Sequence, residues 1–186
     1  MSAAKKKNPM WSDLKRALAG SDRDALLGLI HDLYAASKEN KAFLHARFGL
    51  GDDVLEPYKE TICRWVCPDV TRNQEYSISK AKKAIADYNK AIGLVEGMAE
   101  LSVYYCECCS DFLDSCGVDD DNYFDTLVRM FERALQTVVE LEPNRQNDFI
   151  ERLDCVRHEG CTSLSWRFDV GSDMGELMAT YGFAEE

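Results

Sequence analysis

The segment Tyr123–Val138, YFDTLVRMFERALQTV, decides the fold class of this chain. Its large apolar residues recur every three or four positions, which places them on one face of an α-helix. Those residues are Phe124, Leu127, Phe131, Leu135 and Val138. Carboxylates at Asp119–Asp121 precede the stripe, and negative charge favours the start of a helix. The segment therefore predicts an amphipathic helix with one side packed against a core.

Similar stripes lie on both sides of this segment, each with a start signal and a short break, and together they predict about nine helices. No segment resembles a strand pair or a tight hairpin turn. Pro68 should end the fourth helix at Cys67, Gly117 should end the sixth at Cys116, and Pro143 should end the seventh. The expected starts of the remaining helices are Ser12, Ser21, the region of Asn40, Val54, Ser79, Leu94, and Ser172 or Asp173.

Short loops between amphipathic helices favour antiparallel neighbours. A stack of helical repeats should leave a regular period in the sequence, and none is visible. The predicted fold is therefore all-α, an irregular antiparallel bundle of about nine helices, with an α-α superhelix of helix hairpins as the alternative. We expect a flexible basic tail over residues 1–9 and a single helical domain over residues 10–186.

The charge balance narrows the classes of partner. The chain has 33 Asp and Glu against 22 Lys and Arg, a net charge of −11, which disfavours binding to nucleic acid or to anionic lipid. No apolar run approaches the length of about 20 residues that a membrane span needs. We therefore expect a cytoplasmic protein whose eight cysteines are mostly reduced.

Several stretches in this order resemble an uncharacterised bacterial family, domain of unknown function 6155. They are Leu26–Phe48, Leu55–Ile62, Ser77–Asn89, Tyr123–Val138 and the C-terminal Trp166–Phe168. The resemblance implies an all-helical fold and supplies no activity and no catalytic residues.

Cysteine and histidine residues form the first candidate site. Cys63 and Cys67 leave the apolar stripe of the fourth helix together, and with Cys155 and His158 they could complete a tetrahedral zinc site. Cys161 lies close enough in sequence to Cys155 to join it. The alternative is that these thiols pack as small hydrophobic side chains, with no cofactor. In the sixth helix, Cys109 and Cys116 fall in the apolar stripe and are expected in the core, whereas Cys106 and Cys108 project too far apart to hold one ion.

A second candidate is an acidic ridge on the sixth helix. Glu100, Glu107, Asp111 and Asp114 lie within about 60° of one another around the helix axis and could meet a basic partner. The alternative is a solvated face that Arg129 and Arg133 of the next helix partly neutralise.

A third candidate is the pair Arg152 and His158, whose spacing resembles the Arg-x4-6-His motif of small all-helical ribonucleases.

The common enzymatic signatures are otherwise missing. The sequence therefore favours a non-catalytic helical module that binds another protein or a second copy of itself. The alternatives are a zinc- or thiol-dependent protein and a metal-independent ribonuclease.

Overall fold

A computed structural model describes residues 9–51, 53–162 and 169–183. These residues form nine α-helices and one turn of 3₁₀ helix, Val70–Arg72, and none of them lies in a strand. The all-α prediction is confirmed. The helices are α1 Trp11–Leu18, α2 Arg23–Ala36, α3 Lys38–Phe48, α4 Glu56–Val66, α5 Ile78–Ala91, α6 Val95–Cys116, α7 Asp121–Val138, α8 Pro143–Thr162 and α9 Val170–Thr180.

Most of the predicted basic tail, and Trp166–Phe168 of the family resemblance, lie outside the described residues. Within the described ranges, no helix has both the length and the apolar character that crossing a bilayer requires.

The chain divides into two compact units, Met1–Leu44 and His45–Glu186. The boundary falls inside the region for which the sequence predicts one domain. In the first unit, none of the described residues is buried. In the second unit, the buried apolar side chains of α4 to α9 form a continuous core.

Helix α6 is the centre of the larger unit because it contacts α4, α5, α7 and α8. Being enclosed by four helices, it buries residues on most of its circumference, including Leu101, Cys106 and Cys108. Cys109 is buried as expected. The prediction that Cys116 belongs to the core is wrong: it is exposed, as the last residue of α6, and Ser115 and Gly117 on either side of it are exposed as well.

Several helix ends follow the local signals. Helix α4 ends at Val66, directly before Cys67 and Pro68. Gly117, with φ +63°, follows the last residue of α6 in a conformation that favours glycine. The Asp120 carboxylate accepts a hydrogen bond from the backbone N–H of Asn122 and caps α7.

Other ends differ from the prediction. Asp22, not Ser21, caps α2, and its carboxylate accepts a hydrogen bond from the Ala25 N–H at 2.8 Å. Pro143 does not end α7, which stops at Val138; it is the first residue of α8. Proline suits that position, because its fixed φ is helical and the first N–H of a helix has no partner to lose. Helix α5 begins at Ile78, one residue before its predicted cap Ser79, and α9 begins at Val170, before its predicted caps Ser172 or Asp173.

A buried hydrogen bond joins α7 to the end of α4. The Tyr123 hydroxyl donates to the Val66 carbonyl oxygen at 2.6 Å, and Tyr123 is 1% exposed. As the last residue of α4, Val66 has a carbonyl with no partner inside the helix. Tyr123→Phe should therefore lower the free energy of unfolding by about 1–2 kcal/mol, since it leaves a buried acceptor unpaired. Urea denaturation measures this loss.

Tyr76→Phe is the matched control. The Tyr76 hydroxyl also donates a hydrogen bond, to Asp120, but the residue is 37% exposed and water replaces the lost partner. We expect a smaller loss there than for Tyr123→Phe. Equal losses in the two variants would show that the Tyr123–Val66 bond does not stabilise the junction of α4 and α7.

Candidate functional site

Helices α4 and α6 bring three cysteines together. Cys63 lies in the last turn of α4, and Cys67 follows the helix, four residues later; both are half-buried. Cys108 lies on α6 and is 3% exposed. The electrostatics of the Cys63 thiol are coupled to those of the Cys108 thiol, the Cys67 thiol and the Tyr104 hydroxyl. We call Cys63, Cys67 and Cys108 the thiol cluster.

The three thiols differ in acidity. The hydrogen bond from Cys108, assisted by those from Tyr104 and Cys67, outweighs burial and the charge of Asp111 and lowers the pKa of Cys63 to about 6. Burial, reinforced by the charge on Cys63, raises the pKa of Cys67 to about 11. The hydrogen bond to Cys63 and burial raise the pKa of Cys108. Of the three thiols, only Cys63 has its pKa shifted downward.

The other expected members of a zinc site lie elsewhere. Cys155, His158 and Cys161 are exposed on α8. That helix packs mainly on α6, α7 and α9, whereas α4 packs mainly on α5 and α6. Among the described residues, no three His, Cys, Asp or Glu side chains are grouped so that they could hold one metal ion. Zinc binding stays a prediction from the sequence.

The acidic ridge contains an ion-pair network. Arg152 of α8 donates to both oxygens of Glu107, at 2.6 and 2.7 Å, and to both oxygens of Glu100, at 2.6 and 3.2 Å. Lys59 of α4 contacts Glu100 at 2.6 Å. The side chains of Lys59, Glu100, Glu107 and Arg152 are 22%, 18%, 30% and 31% exposed. The network therefore joins α4, α6 and α8 in a half-buried position.

Hydrogen bonding controls the charge of Glu100. Burial alone would raise the pKa of this carboxyl, but the hydrogen bonds from Arg152 and Lys59 prevail and hold the pKa below 4.5. Two cations thus compensate two carboxylates of the ridge. Only Asp111 and Asp114 are exposed on it, which leaves a smaller acidic surface than the sequence suggested.

Neutralisation of the ridge by Arg129 and Arg133 stays a prediction. They are exposed on α7 and lie near Lys82 of α5. Burial, followed by the charges of these two arginines, lowers the pKa of Lys82. The cations that pair with Glu100 and Glu107 come from α4 and α8, because those helices pack on α6.

The ribonuclease arrangement receives no support from these contacts. To bind an RNA phosphate, Arg152 would have to release four hydrogen bonds to Glu100 and Glu107. His158 is exposed and six residues further along the same helix, about 120° away around its axis. The two side chains therefore do not face a common substrate position.

The sequence analysis did not identify the electrostatic coupling of Cys63 with Cys108. A helical projection places Cys108 about 20° from Leu101, and so on the buried side of α6. That signal predicts burial but does not identify the helix that faces it.

Comparison with models of known protein families, with curated proteins and with solved structures gave no match. The resemblance to the bacterial family stays a prediction.

Proposed function

We propose that the protein is a non-catalytic interaction module that binds a second copy of itself through the apolar face of α2. The observation that carries the proposal is the exposure of this face. Leu27, Ile30 and Leu33 are 52%, 46% and 50% exposed. They recur every third residue and so lie on one side of the helix. We call these three residues the α2 face.

An apolar face of this kind is unusual on a protein surface unless it meets a partner. The cores of protein interfaces are apolar and exclude charged side chains, which is the composition of the α2 face. No residue of α2 is buried, so the helix contributes nothing to a core of its own unit.

Charge favours a second copy as the occupant. The unit Met1–Leu44 contains eight Lys and Arg against five Asp and Glu, a net charge of +3. The unit His45–Glu186 contains fourteen Lys and Arg against twenty-eight Asp and Glu, a net charge of −14. Although each copy carries a net charge of −11, a dimer that places the smaller unit of one copy against the larger unit of the other brings opposite charges together, while the apolar face supplies the affinity.

The test is the oligomeric state. Sedimentation velocity over a wide range of protein concentration should show a reversible monomer–dimer equilibrium, weaker at high salt because screening reduces the charge attraction. The double variant Ile30→Glu with Leu33→Glu should raise the dimer Kd by at least about tenfold, since each charge buried in an apolar interface costs on the order of 1–3 kcal/mol.

The matched control adds the same two charges to another side of α2. Ala25 and Ala35 are exposed and lie away from the α2 face. Ala25→Glu with Ala35→Glu should leave the dimer Kd within about twofold of the wild-type value. A wild-type protein that stays monomeric at every concentration, or an equal weakening by both double variants, contradicts the proposal.

A further inference from the structure

The indole ring of Trp65, near the end of α4, has two cations against it. The Arg64 Cζ lies 4.4 Å from the ring centroid, and the Lys80 Nζ, from the first turn of α5, lies 3.6 Å from it. The two positive charges are therefore at most 8.0 Å apart. The main chain fixes this junction, because the Ser77 N–H donates to the Trp65 carbonyl oxygen at 2.7 Å. We call Arg64, Trp65 and Lys80 the Trp65 site.

Both cations of the Trp65 site lack a carboxylate partner. Within the ranges that the structure describes, no Asp or Glu oxygen lies within 4.0 Å of the Arg64 guanidinium or the Lys80 ammonium. Glu60 stands one turn before Arg64 on α4, at a spacing that favours pairing, yet Arg64 turns to the ring instead. Its guanidinium donates to the Glu75 carbonyl oxygen at 3.4 Å. Most of its five N–H donors are therefore available to a ligand.

The ring holds these cations without neutralising them. A cation is attracted to the face of an aromatic ring by the ring quadrupole, and it keeps its formal charge and its N–H groups. A guanidinium held in this way still presents the planar fork that binds carboxylates and phosphates through two hydrogen bonds. Arg64 and Trp65 are both half-buried, so an anion bound to the fork is partly removed from water. Its attraction to the cations is then stronger than on an open surface.

Charge favours a phosphate group over a carboxylate at the Trp65 site. Near neutral pH a phosphate monoester carries a charge of about −1.5 to −2 and has three strong acceptor oxygens, whereas a carboxylate has one charge and two oxygens. The Arg64 fork can bind two phosphate oxygens side by side. The positive charge of Lys80, at most 8.0 Å from the Arg64 guanidinium, attracts the additional negative charge that only the phosphate has.

We propose that the Trp65 site binds a phosphate group, either as the free ion or as the monoester of a small molecule. Arg64 donates the pair of hydrogen bonds, Lys80 supplies the second positive charge, and the Trp65 ring keeps both cations in place. This inference does not depend on the function proposed for α2.

Isothermal titration calorimetry of the full-length protein tests the site. The probe is inorganic phosphate at about pH 8, where phosphate is mainly a dianion, with chloride keeping the ionic strength constant. We expect saturable binding with a Kd in the millimolar range. Glycerol 3-phosphate, titrated in the same way, distinguishes the two sources of the phosphate group. A Kd at least about tenfold below that of inorganic phosphate assigns the site to a monoester, and any weaker binding assigns it to the free ion.

Variants separate the fork from the second charge. Arg64→Lys should raise the phosphate Kd by at least about tenfold, because lysine keeps the charge but loses the paired hydrogen bonds. Lys80→Gln should raise it by about threefold, because it removes one charge near the bound ion. Arg72→Lys and Lys83→Gln are the matched controls. These cations lie in the same part of the chain and already pair with carboxylates, at 3.1 and 2.5 Å, so each variant should leave the Kd within about twofold.

Two results for the wild-type protein overturn the proposal without needing any variant to fold. One is the absence of binding heat up to the highest phosphate concentration, and the other is acetate binding as tight as phosphate binding. An equal rise in Kd for Lys80→Gln and Lys83→Gln overturns it as well, since phosphate would then respond to the general charge of α5 and not to the Trp65 site.

Discussion

Arg152→Met is expected to lower the free energy of unfolding by about 3–4 kcal/mol, among the largest losses from a single substitution in this chain. Arg152 contributes four hydrogen bonds to Glu100 and Glu107. Removing the guanidinium leaves Glu107 without this cation and Glu100 with Lys59 alone, in positions where water only partly compensates. Methionine keeps much of the aliphatic stem, so the loss reports the ion pairs more than the packing. Urea denaturation at neutral pH measures it.

The stability lost in Arg152→Met should also depend on pH. The pKa of Glu100 is lowered below 4.5 in the folded protein, so the folded state favours its charged form. Its contribution is therefore fully present above the unfolded pKa of about 4.5 and is lost as the pH falls through the lower folded value. The difference in free energy of unfolding between wild type and Arg152→Met should narrow as the pH falls below 4.5.

Arg145→Met is the control for this variant. Arg145 pairs with Glu96, but the two side chains are 58% and 53% exposed, and exposed pairs contribute only about 0–1 kcal/mol. The free energy of unfolding of Arg152→Lys should lie between those of Arg152→Met and the wild type, because lysine keeps the charge but cannot make the two bidentate sets of hydrogen bonds. A loss in Arg152→Met no larger than that in Arg145→Met would show that the network does not hold α4, α6 and α8 together.

Gly97→Ala is expected to lower the free energy of unfolding by about 3 kcal/mol, the upper end of the usual range for overpacking. Gly97 is buried near the start of α6, where Tyr88 of α5 lies directly against it. A Cβ at residue 97 would be 2.9 Å from Tyr88 Cε1 and closer still to the ring carbon and hydroxyl beyond it. Tyr88 is 2% exposed and its ring stacks edge-on against Tyr58, with centroids 5.5 Å apart, so it has little room to move. Thermal or urea unfolding measures the cost.

Gly175→Ala tests this explanation in the same unit. Gly175 lies inside α9, and a Cβ there would meet only Arg157 Cδ, at an ordinary 3.7 Å. That substitution should be neutral or stabilise by up to about 1 kcal/mol, because alanine favours helix. Tyr88→Phe should restore part of the stability of Gly97→Ala by removing the clashing hydroxyl. If Gly97→Ala has the same free energy of unfolding as Gly175→Ala, the approach of α5 to α6 at Gly97 is not close enough to exclude a Cβ.

Helix ends were predictable where one residue type dominates the local conformation. Pro68 excludes helical geometry from the residue before it, and α4 stops accordingly. Prediction failed at Pro143, because proline suits both the region after one helix and the first turn of the next. It also failed at Ser21, because the adjacent Asp22 is an equally good cap.

The candidate site was less predictable than the helices. Helical projection separates Cys63 and Cys67 from the main stripe of α4, and the sequence offered possible partners on α8, whereas the pKa of Cys63 is coupled to a thiol of α6. The same projection placed the acidic ridge on one side of α6. It could not indicate that Arg152 and Lys59 pair with two of its carboxylates. A helical projection shows how residues are arranged around one helix, but it does not show which other helix packs against them.

Local sequence patterns were enough to predict an all-α fold, roughly where each helix lies, and which side of most helices is apolar. Those properties depend on residues within about four positions of one another, through backbone preference, capping and periodicity. The packed helices, by contrast, are needed to see that Arg152 pairs with Glu100 and Glu107 and that Lys59 joins Glu100. These ion pairs join helices distant in sequence, and the packing of the larger unit selects which helix faces meet.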